Sequence, residues 1–524
     1  MKDRPREGPS TAPAWAAHLP DGMAPDDVDL TAAGTLVAAW TAHWRASPER
    51  PVLHTGATGW VRAEQLAADS AAAAASLAFL GLTAGDRVLC SAGTSYRLVV
   101  AHVAALRLGL VVVPTNLAYQ QRELSHIAVD AGVSAAIVDH DDRGRWVAQV
   151  SPDVSILSLH ERWPVGDGTP ALDVVTGDAP ALICYTSGTT GEPKGAVLSH
   201  SNLLASVAAV ALAWRWTAAD RLVLCLPLFH AHGLAVGLHG TLFANASAVL
   251  LDGFDVDTVL NAAIEHRATM FFGVPTMYTR LAASPRVCDL ARLRLCVSGS
   301  APLDATTWHE VAARGDQEVL ERYGMTETLM NVSNPYDLER RPGSVGLPLP
   351  AVELRLSGAD DEPSEIQVRG PNVFAGYWQR PAATAESFTD DGWFRTGDLG
   401  RLDEDGYLTI VGRSKELIIT GGYNVYPREV EDVLAQHPNV RDVAVVGVPS
   451  AEWGETVVAF LVPTDASTFD PASVDELARR ELASYKRPRE LRLVDVIPRN
   501  ALGKIVRHSL GVGAAQPTAT SKEP

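Results

Sequence analysis

The chain has 524 residues, 47% of them hydrophobic and 20% charged, with a formal net charge of −18. That length exceeds one hydrophobic core and suggests roughly three to four domain-sized units. The acidic balance argues against nucleic acid as a partner and gives no support for a membrane surface, and no uninterrupted apolar run reaches the roughly 18 residues of a span.

Residues 1–30 are rich in Pro, Asp and Gly and read as loose. The opening Met1-Lys-Asp-Arg-Pro-Arg-Glu-Gly leads into no apolar core of a secretory leader. Cys90, Cys184, Cys225, Cys288 and Cys296 are scattered, with neither metal-ligand spacing nor a disulfide framework, which fits a reducing cytoplasm. From residue 31 onward, Ala-rich helical patterns alternate with short β-branched runs. A helix is expected over Ala63–Leu80, a strand over Asp86–Cys90, a helix over Tyr96–Leu108 and a strand over Gly109–Pro114. The alternation continues through Arg221–Leu226, Ala248–Leu251, Met270–Gly273 and Leu293–Ser298, and it predicts an α/β fold with doubly wound parallel sheets. After residue 342 the pattern turns to strand-and-turn, with Val352–Leu356 and Glu365–Arg369 as strands of a smaller β unit. Beyond Gly412–Lys415 come a Gly-Gly turn, a helix (Pro427–Gln436), strands (Val440–Val448 and Glu455–Val462), a helix (Ser473–Leu482) and a final strand, a compact α+β domain. Gly511–Pro524 reads as a disordered tail.

The densest chemical signal is Tyr185-Thr-Ser-Gly-Thr-Thr-Gly-Glu-Pro-Lys-Gly195, straight after the apolar run Ala181–Cys184. Glycines let backbone approach a ligand closely, hydroxyls and N–H groups donate to phosphate oxygens, and the lysine adds positive charge. The spacing differs from that of a P-loop. Lysine is scarce here: six residues (Lys2, Lys194, Lys415, Lys486, Lys504, Lys522) against 38 arginines. In such a chain an internal lysine points to a need for a compact ammonium.

In this order, the blocks resemble the adenylate-forming superfamily of acyl-CoA synthetases, luciferases and peptide-synthetase adenylation domains, over residues 35–510. The resemblance implies an N-terminal adenylation domain over 31–412 and a mobile C-terminal domain over 413–510 that alternates between two half-reactions. ATP with Mg²⁺ and a small-molecule carboxylate would give an acyl-adenylate and pyrophosphate, and coenzyme A would then take the acyl group. Carried over residue by residue, Thr186, Ser187, Gly188, Thr189, Thr190 and Lys194 match the phosphate loop. In Arg322-Tyr-Gly-Met-Thr-Glu-Thr328, Tyr323 would stack on adenine, Thr326 touch the α-phosphate and Glu327 hold Mg²⁺. Taken alone, a Thr-Glu pair reads as a helix cap with an acidic first turn. Asp398, in Trp393-Phe-Arg-Thr-Gly-Asp398, would accept the ribose hydroxyls with Arg413 beside it. Lys415 sits at the hinge position. Lys504 matches the adenylation lysine, and Gly421 and Gly422 match the narrow pantetheine channel.

For the acid, the family's pocket is lined around Pro227-Leu-Phe-His-Ala-His-Gly233, the helix after Val274-Pro-Thr276 and Ser298–Ala301, and Phe272–Arg280, Ser298-Gly-Ser-Ala-Pro-Leu303 and Glu321–Asn331 look most like the malonyl-CoA synthetase subgroup. A dicarboxylate needs a cation, best a planar bidentate one. The subgroup places an arginine where Arg280 stands, with His230 and Ser300 as further polar contacts, and His230 also counts among the catalytic candidates. Alternatively, Arg280 is a charge at the exposed end of its helix. The expected activity is ligation of malonate, or methylmalonate, to coenzyme A. Alternatives are a short- or medium-chain monocarboxylate–CoA ligase, an acyl-AMP ligase loading a carrier protein, and a silent nucleotide-binding relative, which retention of Lys194, Glu327, Asp398 and Lys504 argues against. A lysine acetyltransferase acting on Lys504 would remove the ammonium needed for adenylation.

Overall fold

The computed structural model describes residues 13–166, 168–186, 193–358, 362–450, 453–500 and 503–510. The chain divides into two compact units: one of Met1–Gly299, Ala305–Leu354 and Val368–Phe394, the other of Ser300–Asp304, Arg355–Gln367 and Arg395–Pro524.

Two sheets organise the first unit. One runs, edge to edge, through Leu347–Pro348, Leu329–Ser333, Leu320–Met325, Leu295–Ser298, Met270–Gly273, Arg221–Leu224, Ser247–Leu250, Pro51–Thr55 and Gly59–Arg62. The other runs through Gly376–Tyr377, Lys194–Ser199, Pro180–Thr186, Val111–Pro114, Arg87–Ser91, Ala135–Val138 and Ser155–Ser158. Their central pairs are parallel, as between Arg87–Ser91 and Val111–Pro114 or between Met270–Gly273 and Leu295–Ser298. The strands Met270–Gly273 and Leu295–Ser298 are buried along their whole length, as parallel strands covered on both faces must be.

Local chemistry sets the helix ends. In Tyr96–Leu108 the Ser95 side chain accepts from Leu98 N–H, and Gly109 closes the helix in the left-handed conformation at φ 84°. Residues 13–30 are more ordered than their composition suggests. His18 is buried, with its Nε2 3.2 Å from the Leu347 carbonyl, and Arg215 donates to the carbonyls of His18 and Leu19. Residues 1–12 and the tail 511–524 lie outside the described residues.

The second unit holds most of a four-stranded sheet, ordered Glu353–Leu356, Ser364–Arg369, Phe394–Leu402, Leu408–Arg413. It also holds a five-stranded sheet built on the long pair Val440–Ser450 and Gly454–Pro463. Helices Pro427–Leu434 and Pro471–Glu481 bring Val430, Leu434, Val474 and Ala478 into a core with Val443, Val445 and Leu461. Among the described residues no helix is long and apolar enough to cross a membrane.

Candidate active site

In the first unit, the antiparallel strands Pro180–Thr186 and Lys194–Ser199 pair Thr186 with Lys194 across the ladder. The hairpin that carries the glycine-rich segment thus ends on a Thr186–Lys194 pair, with Thr186 Oγ1 donating to the Lys194 carbonyl at 3.4 Å. Ser187, Gly188, Thr189 and Thr190 fall outside the described residues. The root of the hairpin is braced at Asp130, whose carboxylate takes Tyr185 Oη at 2.7 Å and Arg380 Nη2 at 2.6 Å.

Thr326 and Glu327 lie in the turn between strands Leu320–Met325 and Leu329–Ser333, not at a helix start. The turn is tight. A Cβ on Gly324 would stand 1.9 Å from the Leu329 carbonyl oxygen, and Leu329 itself is left-handed at φ 54°. Only glycine permits that approach. Glu327 is buried, its carbonyl accepts Phe374 N–H at 2.8 Å, and its carboxylate accepts Tyr377 Oη at 3.0 Å. The ring of the same tyrosine lies under the Lys194 ammonium, 5.3 Å from the centroid. Tyr323 is buried on the adjoining strand. Among the described residues no three His, Cys, Asp or Glu side chains converge on a metal position. A buried hard carboxylate of this kind fits Mg²⁺ held jointly with substrate phosphates rather than in an all-protein cage.

A second cluster forms on the same unit. His230 packs at a tilt against Phe229, and His232 stacks on Phe272 with centroids 6.4 Å apart. Burial, then the charge of Arg322, holds the His232 imidazole well below its ordinary pKa. Arg322 is 6% exposed, and its Nε and Nη2 find no hydrogen-bond partner among the described residues. Burial alone draws its guanidinium down to about 9. The guanidinium lies flat on Gly299, where a Cβ would stand 2.3 Å from its Cζ. Arg280, by contrast, is exposed on helix Pro275–Ala283, with its guanidinium 5.1 Å over the Phe254 ring.

In the second unit, Asp398 and Arg413 are direct cross-strand partners, and Arg413 Nε meets Asp398 Oδ1 at 3.0 Å. Asp398 is buried while Arg413 keeps 41% of its side chain exposed. That arrangement is an acceptor pair of oxygens steadied by a planar donor. Ser300 adopts φ 74°, a left-handed conformation unusual for serine. Gly421 and Gly422 turn the chain between Ile418–Thr420 and Tyr423–Val425 at φ 55° and 83°. Lys415 is exposed in a short 3₁₀ turn. Lys504 is exposed on a loop fastened by its own N–H donating to Asn500 Oδ1 at 3.0 Å and by Arg499 Nη1 donating to the Gly503 carbonyl at 2.8 Å.

The AMP-binding enzyme model matches residues 40–378, and the AMP-binding enzyme C-terminal domain model matches residues 429–504. The chain belongs to the AMP-binding enzyme family. It is an AMP-forming acyl-CoA ligase of the adenylate-forming superfamily, most like the malonyl-CoA synthetases. The crystal structure of ATP-bound MatB from Rhodopseudomonas palustris superposes with a TM-score of 0.86 at 40% identity, covering 91% of this chain and 98% of that one. A malonate–CoA ligase of Arabidopsis thaliana is 36% identical over 77% of this chain and 74% of its own length. A feruloyl-CoA synthase of an Amycolatopsis species is also 36% identical, over 88% and 96%. Relatives equally distant from this ligase thus carry names for different acids, and overall identity does not choose among them.

Two residues of the candidate site escaped the sequence reading. Arg322 stands inside a recognised block, but its burial, with no counter-ion among the described residues, depends on Gly299, which precedes it by 23 positions. Tyr377 sits in a plain Gly-Tyr-Trp run, and its bond to Glu327 spans 50 positions.

Proposed function

We propose that the ligase joins malonate, or a similarly small dicarboxylate, to coenzyme A through an acyl-adenylate. The observation that carries this reading is Arg322: a buried guanidinium whose Nε and Nη2 have no partner among the described residues. Leaving such a charge unpaired in the interior costs several kcal/mol. An acid bearing a second carboxylate supplies the missing counter-ion, with the bidentate geometry arginine favours. A monocarboxylate leaves it unpaired. His230, His232 and Phe272 line the same cluster. The cation assigned to the distal carboxylate is therefore Arg322, and the exposed Arg280 is tested beside it.

The remaining assignments follow from chemistry. Thr186 and Lys194 receive phosphate oxygens at the mouth of the loop, Glu327 holds Mg²⁺, and Asp398 with Arg413 receives the ribose hydroxyls. Tyr323 faces adenine and Thr326 the α-phosphate. Bound Mg²⁺ would neutralise charge on the phosphates. A carboxylate oxygen of the acid attacks the α-phosphorus, and the bond to pyrophosphate breaks as Lys504 stabilises the charge in transit. The thiol of coenzyme A then attacks the acyl carbon past Gly421 and Gly422, its proton leaves to solvent, and the bond to AMP breaks. Lys415 is the pivot between the two steps.

The test is ATP- and CoA-dependent thioester formation with malonate beside butyrate at equal concentrations, in wild type, R322M and R280A. Preference for malonate with release of AMP and pyrophosphate, lost in R322M, supports the reading. Butyrate preferred by the wild type removes the dicarboxylate and keeps the ligase. Loss of malonate preference in R280A alone returns the role to Arg280.

A further inference from the structure

Between the two groups assigned to the metal and the phosphates stands a residue with no role in that scheme. Tyr377 lies on the short edge strand Gly376–Tyr377, which pairs antiparallel with the strand that begins at Lys194, placing Tyr377 opposite Ala196. The edge is fastened on both sides. Trp378 N–H donates to the Gly195 carbonyl at 2.7 Å, and Phe374 N–H donates to the Glu327 carbonyl at 2.8 Å. Tyr377 N–H donates to Thr384 Oγ1 at 2.9 Å, and the Phe374 ring packs edge-on against the tyrosine with centroids 4.9 Å apart. Its position is over-determined by contacts that involve neither Lys194 nor the Glu327 side chain.

From that position the phenol does two things. Its hydroxyl donates to Glu327 Oε1 at 3.0 Å, and its ring carries the Lys194 ammonium at 5.3 Å. A lysine and a buried glutamate that flank one tyrosine would lower their energy by pairing, which would occupy both groups needed for the nucleotide. A ring face is a weaker partner for an ammonium than a carboxylate and yields it to phosphate. Resting on the assignments of Lys194 and Glu327 made above, we propose that Tyr377 is a positioning residue for the metal–nucleotide. Its hydroxyl aims the Glu327 carboxylate at the metal position. Its ring keeps Lys194 away from that carboxylate until phosphate arrives.

The test measures binding of α,β-methylene-ATP to the full chain by calorimetry, with Mg²⁺ and with Mg²⁺ chelated. Y377F removes the hydroxyl and keeps the ring. It weakens binding in the presence of Mg²⁺ by about tenfold, the worth of one hydrogen bond to a charged group, and leaves the metal-free affinity within about twofold. Y377L removes both features. It also weakens metal-free binding several-fold, because Lys194 must first leave Glu327, and raising the salt concentration narrows that difference. E327Q serves as the reference for a lost metal ligand. If Y377F matches wild type in both conditions while E327Q loses the Mg²⁺ enhancement, the role of Tyr377 is overturned and that of Glu327 stands. If E327Q keeps the enhancement, the assignment of Glu327 fails and the inference fails with it. Equal weakening of both arms in Y377F marks a purely structural tyrosine and also overturns the proposal.

Discussion

Acid should dismantle this fold before its carboxylates protonate, because burial lowers the pKa of His18, His102, His200, His232 and His239. Burial, and then the charge of Arg215, lowers His18 to about 4. Burial, with His200 nearby, lowers His102 to about 3, and burial lowers His200 to about 4. His102 and His239 share one hydrogen bond between their Nε2 atoms at 2.8 Å, and both His200 ring nitrogens are buried without a partner among the described residues. These imidazoles bind protons more weakly in the native state than in the unfolded chain, where the pKa is about 6.5. The unfolded state therefore gains protons first, and stability falls as pH drops from about 6.5 toward about 4. At pH 5 each of His18, His102 and His200 removes about 2 kcal/mol relative to pH 8, or about 6 kcal/mol together, a large part of the 5–15 kcal/mol of a typical domain. Urea midpoints at pH 7.5, 6 and 5 measure the effect. H200L should shrink the drop at pH 5 by about 2 kcal/mol, the share of one such group. A midpoint that stays flat from pH 7.5 to 5, or falls only below pH 4 where carboxylates titrate, refutes the reasoning.

Three further predictions address the site. R322M should leave the melting temperature of the free protein unchanged or raised, because an unpaired buried charge is replaced by apolar volume, while malonate kcat/KM falls at least about a hundredfold; scanning calorimetry with steady-state kinetics separates the two. G324A should destabilise the hairpin carrying Glu327, since its Cβ would stand 1.9 Å from the Leu329 carbonyl, lowering the urea midpoint by the equivalent of at least about 2 kcal/mol. K504Q, or acetylation of Lys504, should abolish acid-dependent pyrophosphate exchange yet leave conversion of supplied acyl-adenylate to thioester within about threefold; equal loss of both half-reactions counts against the role given to Lys504.

Local periodicity exposed much of this architecture. The helix Tyr96–Leu108 carries both of its stop signals in sequence, Ser95 before it and Gly109 after it, and folds over those residues. The strand Met270–Gly273 likewise folds over the expected residues, and neighbouring strands shift by one or two residues at their ends. What stayed hidden depends on distance along the chain. Residues 13–30 look loose by composition, but His18 reaches Leu347 across 329 positions. Thr326 and Glu327 resemble a helix cap locally, and only the bulge at Gly324 makes them a hairpin turn. Arg280 is exposed with its guanidinium over the ring of Phe254, a neighbour 26 positions away that its own helix does not reveal. Phosphate-loop chemistry is dense in adjacent residues and shows itself, whereas the packing of the Arg322 guanidinium against Gly299 exists only after two strands have been laid side by side.

The contact between Gly299 and Arg322 also bears on how such a ligase diversifies. A side chain at 299 would displace the guanidinium of Arg322, which sits on the strand leading into the turn that holds Glu327, so under the role proposed for Arg322 a change at 299 would alter acid preference only as far as that hairpin tolerates it.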